Sequence, residues 1–251
     1  MTDVSYVYAL IRSDRADLTG LPTGIEGGVL RIVDTGRVGA VVSSVPGDLF
    51  SPDGLEQRLG DLEWVERTAR AHDAVVDAAA ASTTTLPLRL GTTCADDDAV
   101  VALLVDLESA ALRTFVRLDG RREWGVRLLG RPPGARSAAQ AGESGASFLA
   151  RRRAELQQRD NSEGADGADA DTVYAALAGL AHEARRHAAA DRAGGLGSGP
   201  RVVLNAAFLV DVADSEAFLN SAKDLQARLG ADRVIVSGPW AAYSFAELEG
   251  S

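Results

Sequence analysis

Leu86-Pro-Leu-Arg-Leu-Gly91, the Asp-headed run from Asp96 to Leu118, and Glu123-Trp-Gly-Val-Arg-Leu-Leu129 read in turn as strand, helix and strand. Both halves of the chain build onto these three runs. The first is short, apolar and closed by Gly91, and Pro87 near its start suits an edge strand better than a central one. Asp96, Asp97 and Asp98 stand where the helix begins. A carboxylate there caps free N–H groups and complements the positive end of the helix dipole. Being adjacent, the three point in different directions, so they read as a cap and not as a metal cluster. Val100, Leu103, Leu104, Leu107, Ala111, Phe115 and Leu118 recur at steps of three and four, which is one buried helix face. Arg113 and Arg117 fall in the last turns, where cations are favoured, and Asp119-Gly120 stops the helix. In the run that follows, Trp124, Val126 and Leu128 alternate onto one side.

On the N-terminal side, Tyr6-Val-Tyr-Ala-Leu-Ile11 reads as a strand, and a Gly- and Pro-rich segment follows. Residues 29–33 and 38–42 read as a hairpin around Asp34-Thr-Gly-Arg37. Ser51 begins one long predicted helix whose apolar face is Leu55, Leu59, Leu62, Val65, Ala69, His72, Val76 and Ala79. On the C-terminal side, residues 130–145 read as a loop and 147–156 as a helix. The polar, acidic run at 160–171 (DNSEGADGADAD) reads as a mobile loop, since it lacks apolar residues able to offset its ordering entropy. A helix face resumes at Val173, Leu177, Leu180, Ala181 and Ala184, and a connector is expected at 194–200. Residues 201–211 and 233–237 read as strands around a helix over 215–229. The expected fold class is α+β, as two α+β domains. Residues 1–119 form the first, and residues 120–251 a ferredoxin-like one of split βαβ type carrying the mobile acidic loop.

Composition narrows the function. At 251 residues with a net charge of −10, the chain is no general binder of nucleic acid or anionic membrane. Lys223 is the only lysine, which reads as the coding bias of a GC-rich genome. Cys94 is the only cysteine, so no internal disulfide forms. The N-terminus lacks a basic region followed by an apolar stretch, and no run approaches the length of a membrane span, so a cytoplasmic location is expected.

A search for chemistry returns no catalytic, cofactor-binding or metal-binding set. Lys223 has no Gly-rich loop before it, and Gly195-Leu-Gly-Ser-Gly199 precedes a strand where a dinucleotide site needs a helix. His182 and His187 stand five apart, which does not stack two ligands on one helix face. His72, on an apolar face, reads as a packed, hydrogen-bonded histidine, and Cys94, with no nearby base, as an inert thiol.

Three ordered signatures go further. The first is the Tyr6-Val-Tyr-Ala-Leu-Ile11 strand, a Gly-rich segment and Ala40-Val-Val-Ser-Ser-Val45. The second is Ala71-His72-Asp73-Ala-Val-Val76, then Leu86-Pro-Leu-Arg-Leu-Gly91-Thr92, then Gly120-Arg-Arg-Glu-Trp-Gly-Val126. The third is Asn205-Ala-Ala-Phe-Leu-Val210 with Gly238-Pro-Trp-Ala-Ala-Tyr-Ser-Phe245. Together they resemble the GvpL/GvpF family of gas vesicle proteins, from about Tyr6 to Phe245. The chain departs from that pattern at Ala241-Ala242, where the family usually has two prolines before the Tyr. The resemblance implies a non-enzymatic accessory or minor structural protein of gas vesicle assembly, cytoplasmic and vesicle-associated. It also implies contact with the major shell protein GvpA and with other accessory Gvp proteins. The expected structural or interaction residues are His72, Arg89, Trp124, Trp240, Tyr243 and Phe245. Trp240 is expected to fold back over the core edge between the Asn205 and Trp124 strands. The second reading is a ferredoxin-like module that binds a small regulatory ligand.

Overall fold

The computed structural model describes residues 3–15, 20, 22–131, 145–188 and 200–248. The loop reading for 132–144 and the connector reading for 194–199 lie outside them. The described chain separates into two compact units. One is the chain up to Glu123 together with the segment from Pro239, and the other is Trp124–Gly238.

The first unit holds β1 (Asp3–Arg12), β2 (Arg31–Asp34), β3 (Val38–Pro46), helices α1 (Pro52–Arg58) and α2 (Leu62–Ser82), β4 (Thr85–Pro87), β5 (Thr93–Cys94) and α3 (Asp97–Leu118). The sheet runs β2-β3-β1-β4, with β5 also paired to β1. The partners of β1 are all antiparallel to it. Pro87 sits in β4 at the end of this order, where a missing N–H breaks no ladder. A bulge between Val7 and Ala9 shifts the alternation of β1 by one residue. Tyr6 and Tyr8, then Ala9 and Ile11, therefore all reach the core that also holds Val75, Val76 and Ala79 of α2. Ser5 points the other way and bonds Asp97 of α3. Successive side chains of a strand face opposite sides, so α2 and α3 cover opposite faces of the sheet.

Helix α3 begins on an Asp96 cap, its carboxylate accepting from the Ala99 N–H at 2.8 Å. Asp97 instead meets the Arg31 guanidinium at 2.6 and 2.9 Å, which holds its carboxyl below the usual range. The single long helix expected from Ser51 is two helices. Leu59-Gly60 breaks it, and Asp61 starts α2 afresh by accepting from the Trp64 N–H. The restart turns the face: Leu59 and Leu62 are exposed, while Trp64, Thr68, His72, Val75, Val76 and Ala79 are buried.

The second unit runs β6 (Arg121–Leu129), α4 (Gly145–Ala178), β7 (Glu183–Arg186), β8 (Val202–Asp211), α5 (Ser215–Leu229) and β9 (Val234–Trp240). Its sheet order is β7-β8-β6-β9. One core gathers Trp124, Val126 and Leu128 of β6, Leu204, Ala206, Phe208 and Val210 of β8, Val173 and Leu177 of α4, and Phe218, Ala222 and Leu225 of α5. The helical reading of 180–184 does not hold. Residues 183–186 pair antiparallel with β8, and the strand is too short for periodicity to reveal.

The acidic segment 160–171 is no mobile loop; it is the middle of α4. Asp166 heads a buried stripe that continues through Ala170, Val173 and Leu177. Its carboxylate, 2% exposed, receives Arg131 at 3.2 Å, Arg201 at 3.0 Å and Arg233 at 3.0 Å. Asp169 takes second bonds from Arg131 and Arg233 at 2.8 and 3.0 Å. These arginines stand at the end of β6 and the starts of β8 and β9, where Arg233 also donates to the Leu129 carbonyl. A Cβ on Gly130 would stand 3.0 Å from the Asp166 carboxylate, so the glycine permits the close approach. The segment is thus held through the paired carboxylates of Asp166 and Asp169 and the buried Ala170.

Candidate functional site

The signature residues Tyr6, Tyr8, His72, Gly91 and Tyr243 meet in the first unit, while Trp124–Val126 and Asn205–Val210 lie in the second. His72 reaches the aromatic pair of β1 from the buried face of α2. Its Nε2 lies 3.2 Å from the Leu88 carbonyl and its Nδ1 3.0 Å from the Tyr6 hydroxyl. A carbonyl only accepts, so Nε2 carries the proton and Nδ1 accepts from Tyr6. The Tyr6 oxygen in turn accepts the Gly91 N–H at 2.9 Å. Arg89 lies in the same turn, its side chain exposed and its carbonyl accepting from the Thr92 N–H and hydroxyl. The Tyr8 hydroxyl accepts the Ile25 N–H and lies 2.8 Å from the Ser43 hydroxyl. The His72 ring stacks on Tyr8 at 5.6 Å and meets Tyr6 edge-on at 5.8 Å. Gly24 is obligatory here, because a Cβ would come within 2.6 Å of the Tyr8 hydroxyl.

The C-terminal segment closes over this cluster. The Ala241 N–H donates to Asp77 at 3.2 Å and the Tyr243 hydroxyl to Asp73 at 3.1 Å. Ser244 donates to Glu123 twice, from its N–H at 2.8 Å and its hydroxyl at 2.6 Å. Arg117 donates to the Phe245 carbonyl at 2.7 Å and to that of Glu247 at 3.2 Å. Ala241, Ala242 and Phe245 are buried, whereas Trp240 is 46% exposed. The expectation that Trp240 covers the core edge between the Asn205 and Trp124 strands is thus overturned. Carboxylates of α2 and β6 draw the tail onto the first unit, and Phe245 is its buried anchor. The first unit accordingly extends to Glu123 and takes back the tail, where the sequence reading stopped it at residue 119 and left the tail in the second. Among the expected residues, the structure brings His72 and Tyr243 together beside the Arg89 turn, their rings 6.3 Å apart, and buries Phe245 two residues further along the tail. Trp124 lies in the second unit's core, its ring 6.0 Å from Phe218. The tail's anchors Asp73, Asp77 and Glu123 escaped the sequence reading. The i, i+4 spacing of Asp73 and Asp77 beside His72 was their visible signal.

Electrostatics keep the cluster neutral. Burial pushes the Tyr6 hydroxyl up and the His72 imidazole down. Burial, then the charge of Asp73, pushes Tyr243 up. Burial also raises Asp77, which the Ala241 N–H partly counters. Cys94 is half-buried, and its thiol is pushed up by burial and by Asp96, which leaves it protonated. Among the described residues no group of three His, Cys, Asp or Glu could hold a metal. No described helix is long and apolar enough to cross a membrane. The hydroxyls and imidazole of the cluster are spent on one another and on the backbone, an arrangement that fixes shape.

His72 makes the first unit sensitive to acid. Its folded pKa lies below the ordinary value of 6.5, so the unfolded chain binds the proton that the folded chain refuses. The stabilisation is full above that value and is lost as pH falls below it. Melting temperature is expected to drop between about pH 7.5 and 5.5, and the drop should be smaller in His72→Gln. Equal drops in the two proteins would show that His72 accepts its proton without cost.

The geometry defines a two-unit α+β protein whose aromatic–histidine cluster is sealed by its own C-terminal segment. A family profile, gas vesicle synthesis protein GvpL/GvpF, matches residues 4–247. The chain belongs to the GvpL/GvpF family of gas vesicle proteins. It is 39% identical to gas vesicle protein L of Streptomyces sp. (strain CB03234), over 98% of this chain and 93% of that one. Gas vesicle protein F of the same strain is 28% identical over 97% of this chain and 99% of its own. Crystal structures of GvpF from Anabaena sp. PCC7120 and Microcystis aeruginosa share the fold. The first has a TM-score of 0.67 at 19% identity and covers 99% of this chain and 98% of its own. The second has a TM-score of 0.67 at 18% identity and covers 98% of this chain and 99% of its own.

Proposed function

We propose that this protein is a non-enzymatic accessory or minor structural component of gas vesicle assembly, acting in the cytoplasm on the major shell protein GvpA together with other accessory Gvp proteins. Family membership across almost the whole chain carries the reading. A shell subunit with one apolar, gas-facing side needs a soluble partner while it waits for assembly. An acidic chain of net charge −10 suits that task, since its charge keeps the pair in solution. The neutral, saturated core cluster agrees with a binding role. The β-α-β-β-α-β connectivity of the second unit supports a ferredoxin-like fold. The regulatory-module alternative rests on that connectivity alone, and fold does not fix function.

The test is a pull-down on a shell-protein fusion, with an unrelated acidic protein of similar size as control prey. Selective recovery of this protein, with more soluble shell protein on co-expression, is the expected outcome. Equal recovery of the two preys would remove the assembly role.

A further inference from the structure

A cleft of about 340 Å³ opens between the Ile25–Gly27 turn and α2 in the first unit. That volume stands at the lower end of the ~300–1,000 Å³ range of small-molecule sites. Ile25 and Ala71 line it with apolar surface, and Glu26, Arg67 and Thr68 supply its polar groups. Positions 67, 68 and 71 lie within one turn on one side of α2, so the helix brings Arg67 and Thr68 to the cleft together.

Thr68 is 3% exposed, and among the described residues its hydroxyl has no hydrogen-bond partner. Buried hydroxyls normally take one, and one that lines a cleft can take it from a ligand. Glu26 is the one described non-glycine residue at positive φ, 52°. A residue with a side chain adopts that conformation at a cost, and here it sets a carboxylate in the cleft wall. Glu26 Oε1 accepts the Trp64 indole N–H at 3.2 Å, which leaves Oε2 as an acceptor. Arg67 pairs with Glu63 at 3.8 Å, the two side chains 61% and 90% exposed. That separation is beyond hydrogen-bond length, and such a pair is worth little. A ligand carboxylate can take the guanidinium from it.

The loop is set before a ligand arrives. The Ile25 N–H donates to the Tyr8 hydroxyl at 2.8 Å, and the Gly24, Gly27 and Gly28 N–H groups bond to carbonyls within the loop. A preformed wall avoids an ordering cost on binding. The two charges then select the ligand. A plain anion meets Arg67 but is repelled by Glu26, and a plain cation meets the reverse. A molecule that carries both charges satisfies both residues.

We propose that this cleft binds a small zwitterion of amino-acid size. Its carboxylate lies on the Arg67 guanidinium and the Thr68 hydroxyl, its ammonium on Glu26, and its side chain against Ile25 and Ala71. The exposure of Arg67 makes the binding weak, in the millimolar range.

Chemical-shift titration of the whole chain with glycine, L-alanine, L-valine and L-leucine tests this. At least one of them should saturate in the millimolar range and shift resonances of residues 24–27 and 67–71. The amine and the acid that each lack one charge of the tightest binder (for L-valine, isobutylamine and isovalerate) should bind several-fold more weakly. Arg67→Gln should also weaken binding several-fold. Thr68→Val keeps the shape of the side chain and removes only the hydroxyl. It should weaken binding several-fold at an unchanged or slightly raised melting temperature, since the hydroxyl has no partner in the chain to lose. No saturable shift with any of the four amino acids, or shifts confined to residues outside the cleft, overturns the proposal. Equally tight binding of the amine or the acid overturns the zwitterion. Undiminished binding by both variants overturns the site, and a Thr68→Val protein that melts markedly lower overturns the role given to that hydroxyl.

Discussion

Asp166→Ala is expected to cost the second unit about 3–5 kcal/mol, because removing one member of a buried charge network leaves its partners uncompensated. Arg233 decides the size. Its side chain is only 10% exposed and cannot turn to water, whereas Arg131 and Arg201 are 39% and 48% exposed and can. The loss therefore falls toward the lower figure, and the melting temperature should drop by roughly ten degrees. Exchanging residues 160–171 for a Gly/Ser linker should be worse, since it removes Asp166, Asp169 and Ala170 from the buried side of α4. Unchanged melting in either variant would mean that the arginines hold the strand ends without their carboxylates. Differential scanning calorimetry is the suitable measurement.

Phe245→Ala should destabilise the first unit by about 3–5 kcal/mol, the usual cost of truncating a fully buried large aromatic. Phe245 is 0% exposed and lies at the end of a tail held by Asp77, Asp73, Glu123 and Arg117. Trp240→Ala is the internal comparison. That ring is nearly half exposed, so its truncation should cost under about 1 kcal/mol. Thermal melts of the two variants should differ by many degrees in this order. The reverse order would return Trp240 to the core and put the tail elsewhere.

Much of the fold was legible in local pattern. The Asp96 cap, the buried face of α3, the alternation from Trp124 to Leu128 and the edge position of Pro87 each follow from a few neighbouring residues. The packed state of His72 follows from its place on an apolar helix face. Other features were not legible, for specific reasons. Leu59 and Leu62 fit the periodicity of one helix, but Gly60 and the Asp61 cap restart the helix and rotate its face. Residues 160–171 have poor helix formers and two glycines at 164 and 167, each costing about 1 kcal/mol relative to alanine. Local propensity there favours a loop.

The sequence by itself determined the α+β class, most of the strands, the caps that start α1 and α3, and the family signatures at Tyr6, His72, Leu86 and Phe245. Tertiary structure alone decided that α4 runs through the acidic segment, that residues 183–186 form a strand, and that the tail returns to the first unit with Phe245 inward and Trp240 outward. The physical reason is the same in each case. Caps and periodic faces are interactions among residues a few positions apart. The Asp166 network, the pairing of β7 with β8 and the carboxylates that hold the tail join residues some 20 to 170 positions apart, and only the folded chain brings those charges and backbone groups within reach of one another.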